Sequence, residues 1–144
     1  MKGNCFAIEV ESKLESIPVI SDFIASTLDS LAVAPATVFK VQLSVDEACT
    51  NVIKYAYSDK LGIINLTCEL LDDSLVITIK DKGKPFNPLL VPSPDLDADV
   101  EHRKIGGLGL YFMQKMMDDV SYEFSPEAGN KLTMRKRLTP EKAN

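Results

Sequence analysis

The chain has 144 residues and a mass of 15.9 kDa, the size of one domain spanning residues 1–144, and a chain this long buries about two-thirds of its unfolded surface. Hydrophobic residues at 45% and charged residues at 26% are globular values and exclude a disordered chain. Sixteen Lys and Arg against 21 Asp and Glu leave a net charge of −5, which argues against direct binding of nucleic acid, because phosphate neutralisation needs a basic face.

Residues 5–11 alternate, with Phe6, Ile8 and Val10 set against Ala7, Glu9 and Glu11, and this predicts a first strand. From Ser16 the spacing turns helical through Ile17, Ile20, Phe23 or Ile24, Leu28 and Leu31. Ala34-Pro35 then opens a second helix, since proline suits a first helical turn. Apolar residues at 38, 41, 45, 48, 52 and 55 carry that helix to about Tyr57. A turn at Ser58–Gly62 leads to strands at 63–71 and 75–81, joined as a hairpin at Asp72-Asp73-Ser74. Residues 82–106 lack periodicity and hold Pro, Asn and alternating acids, the composition of a lid or binding loop. A helix at about 107–118, a strand at 119–125, a turn at Glu127–Asn130 and a strand at 131–138 complete the chain. The order β-α-α-β-β-loop-α-β-β predicts an α+β fold, a two-layer sandwich with a mostly antiparallel sheet and its helices on one face. The basic cluster Lys131, Arg135, Lys136 and Arg137 reads as a solvated edge of that sheet.

Three local features carry chemistry. Glu47 and Asn51 lie four apart on the second helix and share a face. Alone they read as a solvated flank; in a site they are a carboxylate base beside a carboxamide oxygen suited to a hard cation. Asp81-Lys-Gly83 ends an apolar strand. It can be an ordinary turn, or a carboxylate that accepts from an exocyclic amine with a glycine that lets backbone come close. Ile105-Gly-Gly-Leu-Gly-Leu110 opens a helix, where free N–H groups and the helix dipole favour an anion. No Lys-Ser/Thr follows and no strand precedes it, so it is neither a Walker A loop nor a Rossmann fingerprint.

In this order the three features resemble the N, G1 and G2 boxes of the Bergerat-fold (GHKL) ATPases, and most of all the anti-sigma-factor serine/threonine kinases. The resembling stretches are Val45-Asp-Glu-Ala-Cys-Thr-Asn51, Asp81-Lys-Gly-Lys-Pro-Phe86-Asn-Pro88, Gly106-Gly-Leu-Gly-Leu110 with Met117-Asp118, and the later Gly129-Asn130. The resemblance covers essentially the whole chain. It implies the histidine-kinase-like ATP-binding fold, with ATP and Mg²⁺ as cofactors. Asp81 would bond the adenine amine, Gly83 would leave room for the base, and Phe86 would belong to the same nucleotide site. Asn51 would hold Mg²⁺ against the phosphates, and residues 87–105 would form the lid. Gly106, Gly107, Leu108, Gly109 and Leu110 would supply the phosphate-binding turn, with Arg103 reaching toward the γ-phosphate. Glu47 would be the catalytic base acting on a hydroxyl of a protein substrate. The implied partners are an anti-anti-sigma (STAS-type) protein as phosphoacceptor, a sigma factor held alternately, and a second copy in a homodimer. Where the family often continues Asn-Ala-x-x-His-Ala-Tyr, this chain has Val52 and Tyr55.

Other residues support no rival chemistry. His102 is the single histidine, so neither a Ser-His-Asp triad nor a histidine metal cluster can form. Phe112, Met113, Met116 and Met117 recur at helical spacing and read as core. Cys5, Cys49 and Cys68 are odd in number, widely spaced and without C-x-x-C, which excludes a disulfide scaffold and a thiolate zinc site, and Cys49 is expected to be buried and inert. No apolar run is long enough to span a bilayer and the first residues lack a signal-peptide block, so a cytoplasmic location without membrane contact is expected. The expected function is an ATP-dependent protein serine/threonine kinase. The alternative is a non-catalytic, nucleotide-dependent switch that holds a partner. A detached histidine-kinase domain is disfavoured, because no helical segment carries an acceptor histidine and Glu47 suits a hydroxyl acceptor.

Overall fold

A computed structural model describes residues 5–58, 60–90 and 105–138, and for residues 105–108 the backbone alone. The elements in order are β1 (Cys5–Glu11), α1 (Ser16–Ser30), α2 (Pro35–Asn51), a π-helical segment (Val52–Ala56), β2 (Ile63–Leu71), β3 (Ser74–Asp81), a 3-10 turn (Pro88–Leu90), α3 (Ile105–Met116), β4 (Asp119–Ser125) and β5 (Gly129–Arg137). The five strands form one antiparallel sheet in the order β1-β2-β3-β5-β4. The α+β sandwich expected from sequence is the fold observed.

Strand alternation gives the sheet two unlike faces. Cross-strand partners run Phe6, Cys68, Ile77, Met134 and Val120 in one row and Ile8, Leu66, Ile79, Leu132 and Tyr122 in the next. Apart from Phe6, the residues of both rows lie under the helices in one core with Ile20, Ile24 and Leu28 of α1, Val41, Val45 and Ala48 of α2, and Leu110 and Met113 of α3. A third row on the same face runs Val10, Ile64, Asp81, Asn130 and Phe124. Two polar residues thereby sit at the end of an apolar surface, beneath the C-terminal end of α2.

Four expectations need correction. The second helix does not run regularly to Tyr57. It leaves α geometry after Asn51 and continues as a π turn, with the Tyr57 N–H bonded to the Val52 carbonyl five residues back. The extra residue in the ladder rotates the next side chains by about 100°, so Tyr55 is 46% exposed, whereas Ala56 and Tyr57 are buried. The last strand starts at Gly129 rather than 131, so Asn130 faces Asp81 across the ladder instead of lying in a turn. Phe112 is not core: it is 43% exposed, although Met113 and Met117 are buried. The basic cluster lies on β5, an interior strand, and not at the sheet edge. Arg135 there pairs with Asp119, and the Lys136 ammonium donates to the Met116 carbonyl at 2.7 Å, a cation placed on the last carbonyls of α3. Among the described residues no helix is long and apolar enough to cross a membrane.

Candidate functional site

Glu47 and Asn51 share a face of α2 because residues four apart stack along a helix. The Asn51 amide nitrogen donates to the Glu47 main-chain carbonyl and to Glu47 Oε2, each at 2.7 Å. Both neighbours are acceptors, so the nitrogen end of the amide must face them and Oδ1 is turned away. Asn51 is buried at 4% exposure, and a buried carboxamide oxygen freed in this way is a ligand for a hard cation. No group of three or more His, Cys, Asp or Glu capable of holding a metal exists among the described residues. One carboxamide oxygen fits Mg²⁺ held mainly by phosphates, since this ion keeps few protein ligands in phosphate-transfer sites.

Gly109 lies on α3 directly against Glu47, where a Cβ would overlap the carboxylate carbon and both its oxygens. As the fifth residue of α3 it falls inside the i to i−4 ladder, so its contribution here is the missing side chain rather than a free N–H. Gly106, Gly107 and Leu108 lie in the first turn of α3, where N–H groups have no intrahelical acceptor. Leu110 is 4% exposed and packs in the core. Arg103, and with it the part of the expected lid at 91–104, lies outside the described residues.

Asp81 ends β3 on the helix-facing side of the sheet and is 3% exposed. Its Oδ1 accepts from the Gly83 N–H at 2.8 Å and from the Asn130 amide at 2.8 Å. Oδ2 has no hydrogen-bond partner among the described residues and is the acceptor left for a ligand. Burial pushes the Asp81 carboxyl above the usual carboxylate value, and the two hydrogen bonds bring it part of the way back. A small cavity of about 20 Å³ adjoins it, walled by Val52, Ile79, Phe86 and Leu132 with Asn51, Asp81 and Asn130 as its polar edge. An apolar cavity edged by one carboxylate acceptor fits an aminopurine in chemistry. Its volume holds about one water, so Phe86 and Pro88 must move outward to admit a base.

Sequence reasoning gave Asn130 no role, yet it is the hub of this end of the sheet. Its amide nitrogen donates to Asp81 Oδ1 and to the Lys84 carbonyl at 2.8 Å, while its oxygen accepts from the Phe86 N–H at 3.1 Å and from the Tyr122 hydroxyl. The signal available was that Gly129-Asn130 is one of the stretches resembling the family, although an Asn after Gly also reads as a turn. Gly83 is placed differently from expectation. It does not line the cavity, and a Cβ there would overlap the Ala56 carbonyl at the end of the π turn. The Lys84 N–H donates to that same carbonyl at 2.7 Å. Glycine at 83 therefore lets the loop after β3 close onto the segment after α2, and Phe86 completes the closure by stacking on Tyr55 with ring centroids 5.0 Å apart.

Comparisons with known proteins agree with this architecture. Residues 10–136 match the family described as the histidine kinase-like ATPase domain. The serine-protein kinase RsbW of Bacillus mycoides is 30% identical over 117 residues, covering 78% of this chain and 73% of the relative. That of Staphylococcus aureus is 36% identical over 106 residues, covering 69% of this chain and 65% of the relative, so the chain spans about two-thirds of that protein's length. A solved structure of the RsbU and RsbW domains of a Mycobacterium tuberculosis protein superposes with a TM-score of 0.68 at 13% identity, covering 96% of this chain and 33% of the other, and shows the shared fold. The chain belongs to the histidine kinase-like ATPase domain family and, within it, to the anti-sigma-factor serine/threonine kinases that its three motifs resemble.

Proposed function

We propose that this chain, acting as one nucleotide-binding unit, transfers the γ-phosphoryl group of ATP to a serine or threonine hydroxyl of an anti-anti-sigma (STAS-type) protein and alternately holds a sigma factor. The observation that carries the reading is the Asn51–Glu47 clasp. One amide holds a carboxylate through its nitrogen and leaves its oxygen free, which supports a base and a cation site side by side.

Each residue then has a task. Asp81 Oδ2 accepts from the adenine amine, and Asn130 with the Gly83 N–H holds that carboxylate by its other oxygen. Phe86 covers the base. Asn51 Oδ1 would hold Mg²⁺, which would neutralise charge on the phosphates. The first turn of α3 presents Gly106 and Gly107 N–H groups to the phosphates. Glu47 Oε1, the oxygen not engaged by Asn51, takes the proton of the acceptor hydroxyl as its oxygen bonds to the γ-phosphorus. The bond from that phosphorus to the β,γ-bridging oxygen breaks, and ADP leaves with the electron pair. Catalysis in such a site is positioning and charge stabilisation.

The paired variants Glu47→Gln and Asn51→Ala test this. Glu47→Gln keeps Asn51 a partner and should hold Mg-ATP affinity within about a few-fold while transfer falls by about 10²- to 10⁴-fold, the contribution of a positioned base. Asn51→Ala removes the metal ligand and the clasp together, so binding and transfer both fall. Transfer at the wild-type rate by the Gln variant would remove Glu47 from the chemistry. A wild-type chain that binds ATP and partner yet transfers nothing would favour the non-catalytic switch.

A further inference from the structure

Adjoining the base cavity around α2, a cleft of about 220 Å³ separates α2 from α3. Leu43, Glu47 and Thr50 form one wall and Gly109, Phe112 and Met116 the other. Each set follows the i, i+3/i+4, i+7 spacing of a single helix face, so the cleft is a straight channel between two facing stripes. Glu47 stands in it, admitted by the bare Gly109 backbone. Leu43 and Phe112 leave 41% and 43% of their surface in solvent at its mouth, although both are large apolar side chains.

We propose that this cleft seats the phosphoacceptor protein, taking an apolar side chain that neighbours the reacting serine or threonine and so delivering the hydroxyl to Glu47. The inference rests on the kinase reading above and adds to it where the acceptor docks and what it must carry. The cleft's own properties select that occupant. Its volume of about 220 Å³ suits one or two side chains. Glu47, the group that takes the proton in the transfer step above, lines the cleft together with Leu43, Phe112 and Met116, so an apolar side chain seated between them brings a neighbouring hydroxyl to that carboxylate. The residues of α2 that line the base cavity are Ala48, Asn51 and Val52, whereas Leu43, Glu47 and Thr50 line the cleft, so nucleotide and acceptor approach the same helix on adjoining faces.

The test is steady-state kinetics with a purified STAS-type acceptor as the probe, comparing wild type, the double variant Leu43→Ser with Phe112→Ser, and Glu47→Gln. The double variant should raise KM for the acceptor by about tenfold or more, as loss of central apolar contacts does at interfaces. Its kcat at saturating acceptor and its ATP affinity by calorimetry should stay at wild-type values, while its Tm falls by a few degrees because more than half of each side chain is buried. Glu47→Gln should do the reverse, losing kcat with little change in acceptor binding. Restoring apolar character with Leu43→Met and Phe112→Leu should restore KM. An unchanged KM in the double variant, alongside normal transfer by wild type, would overturn the docking site and leave the kinase reading standing. Absence of transfer by wild type would overturn the kinase reading and this inference with it.

Discussion

At Asp81 folding and binding make opposite demands. The side chain faces the helical layer at 3% exposure, and burial raises its pKa despite the hydrogen bonds from Asn130 and Gly83. A group whose folded pKa lies above its unfolded value contributes stability that is complete below the unfolded pKa and is lost as pH rises through the folded one. At neutral pH the ionised Asp81 thus weakens the fold relative to a neutral side chain of the same shape. Asp81→Asn should raise Tm at pH 7, and the gain should vanish below about pH 4, near the ordinary Asp pKa, where the wild-type side chain is protonated as well. Calorimetry at the two pH values checks this; a lower Tm at pH 7 would mean that the hydrogen bonds outweigh burial. Binding moves the other way. Two donors point at Oδ1, so the new amide must place its oxygen there and its nitrogen in the Oδ2 position. That turns the acceptor offered to an adenine amine into a donor. An unpaired buried donor costs roughly 1–3 kcal/mol, so ATP affinity should fall by about ten- to a hundredfold. Equal ATP affinity by titration calorimetry would remove Asp81 from base recognition.

At the scale of elements, the π turn Val52–Ala56 joins the two halves of the site. It turns Tyr57 inward, where the phenol donates to the Ile63 carbonyl at 2.7 Å and accepts from the Lys82 N–H at 2.8 Å. It also brings the Ala56 carbonyl onto Gly83 and Lys84. Gly83→Ala should therefore act through the scaffold. The added methyl meets backbone on the facing segment, which cannot rotate away, and overpacking of this kind costs about 1–3 kcal/mol. Urea unfolding should show the lower midpoint, with ATP affinity reduced as the loop carrying Phe86 is displaced. A variant as stable as wild type would show that the loop yields freely. This junction is also where sequence reading stopped short. Strands β1 to β3 and the helical face of α2 up to Val52 were legible, because strand alternation and a 3.6-residue period are written directly into the order of side chains. A π turn leaves no such trace, since one added residue in the hydrogen-bond ladder shifts the phase without altering composition. Glu47, Asn51 and Asp81 stood out by type and spacing, but only their order with the Gly-rich segment, which resembles the N, G1 and G2 boxes, distinguished them from a solvated flank and an ordinary turn. The part of Asn130 was not legible, because it depends on a cross-strand register that places residues 49 positions apart in contact. Gly83 and Gly109 were legible as glycines, but the neighbours that require them, Ala56 and Glu47, emerge only from packing.

The whole molecule is a one-sided sandwich, and its three thiols report on that arrangement. The outer sheet face carries the cross-strand rows Glu9, Asn65, Lys80, Lys131, Glu123 and Ala7, Thr67, Thr78, Thr133, Ser121, with Cys5 exposed beside Glu69. Cys68 on β2 and Cys49 on α2 lie in the core between sheet and helices. Burial, with the neighbouring Cys5 adding, pushes the Cys68 thiol up to about 11, and burial pushes Cys49 higher still. A thiolate-selective reagent at pH 7.5 should therefore modify one thiol rapidly in the native protein and all three in denaturant. The slow labelling of the two core thiols then measures opening of the sandwich. If sheet and helical layer form one cooperative unit, Cys49 and Cys68 open with the same free energy after correction for their rates in the unfolded chain. ATP binds across the two layers in the proposed site, contacting α2 and α3 on one side and β3 on the other, so it must stabilise both thiols together. At a free concentration of about 100 times Kd it adds about 2.7 kcal/mol, which slows both by about a hundredfold and leaves Cys5 unaffected. Protection of Cys49 without Cys68 would show that nucleotide rigidifies the helices alone, and the placement of the base against Asp81 on the sheet would then be wrong.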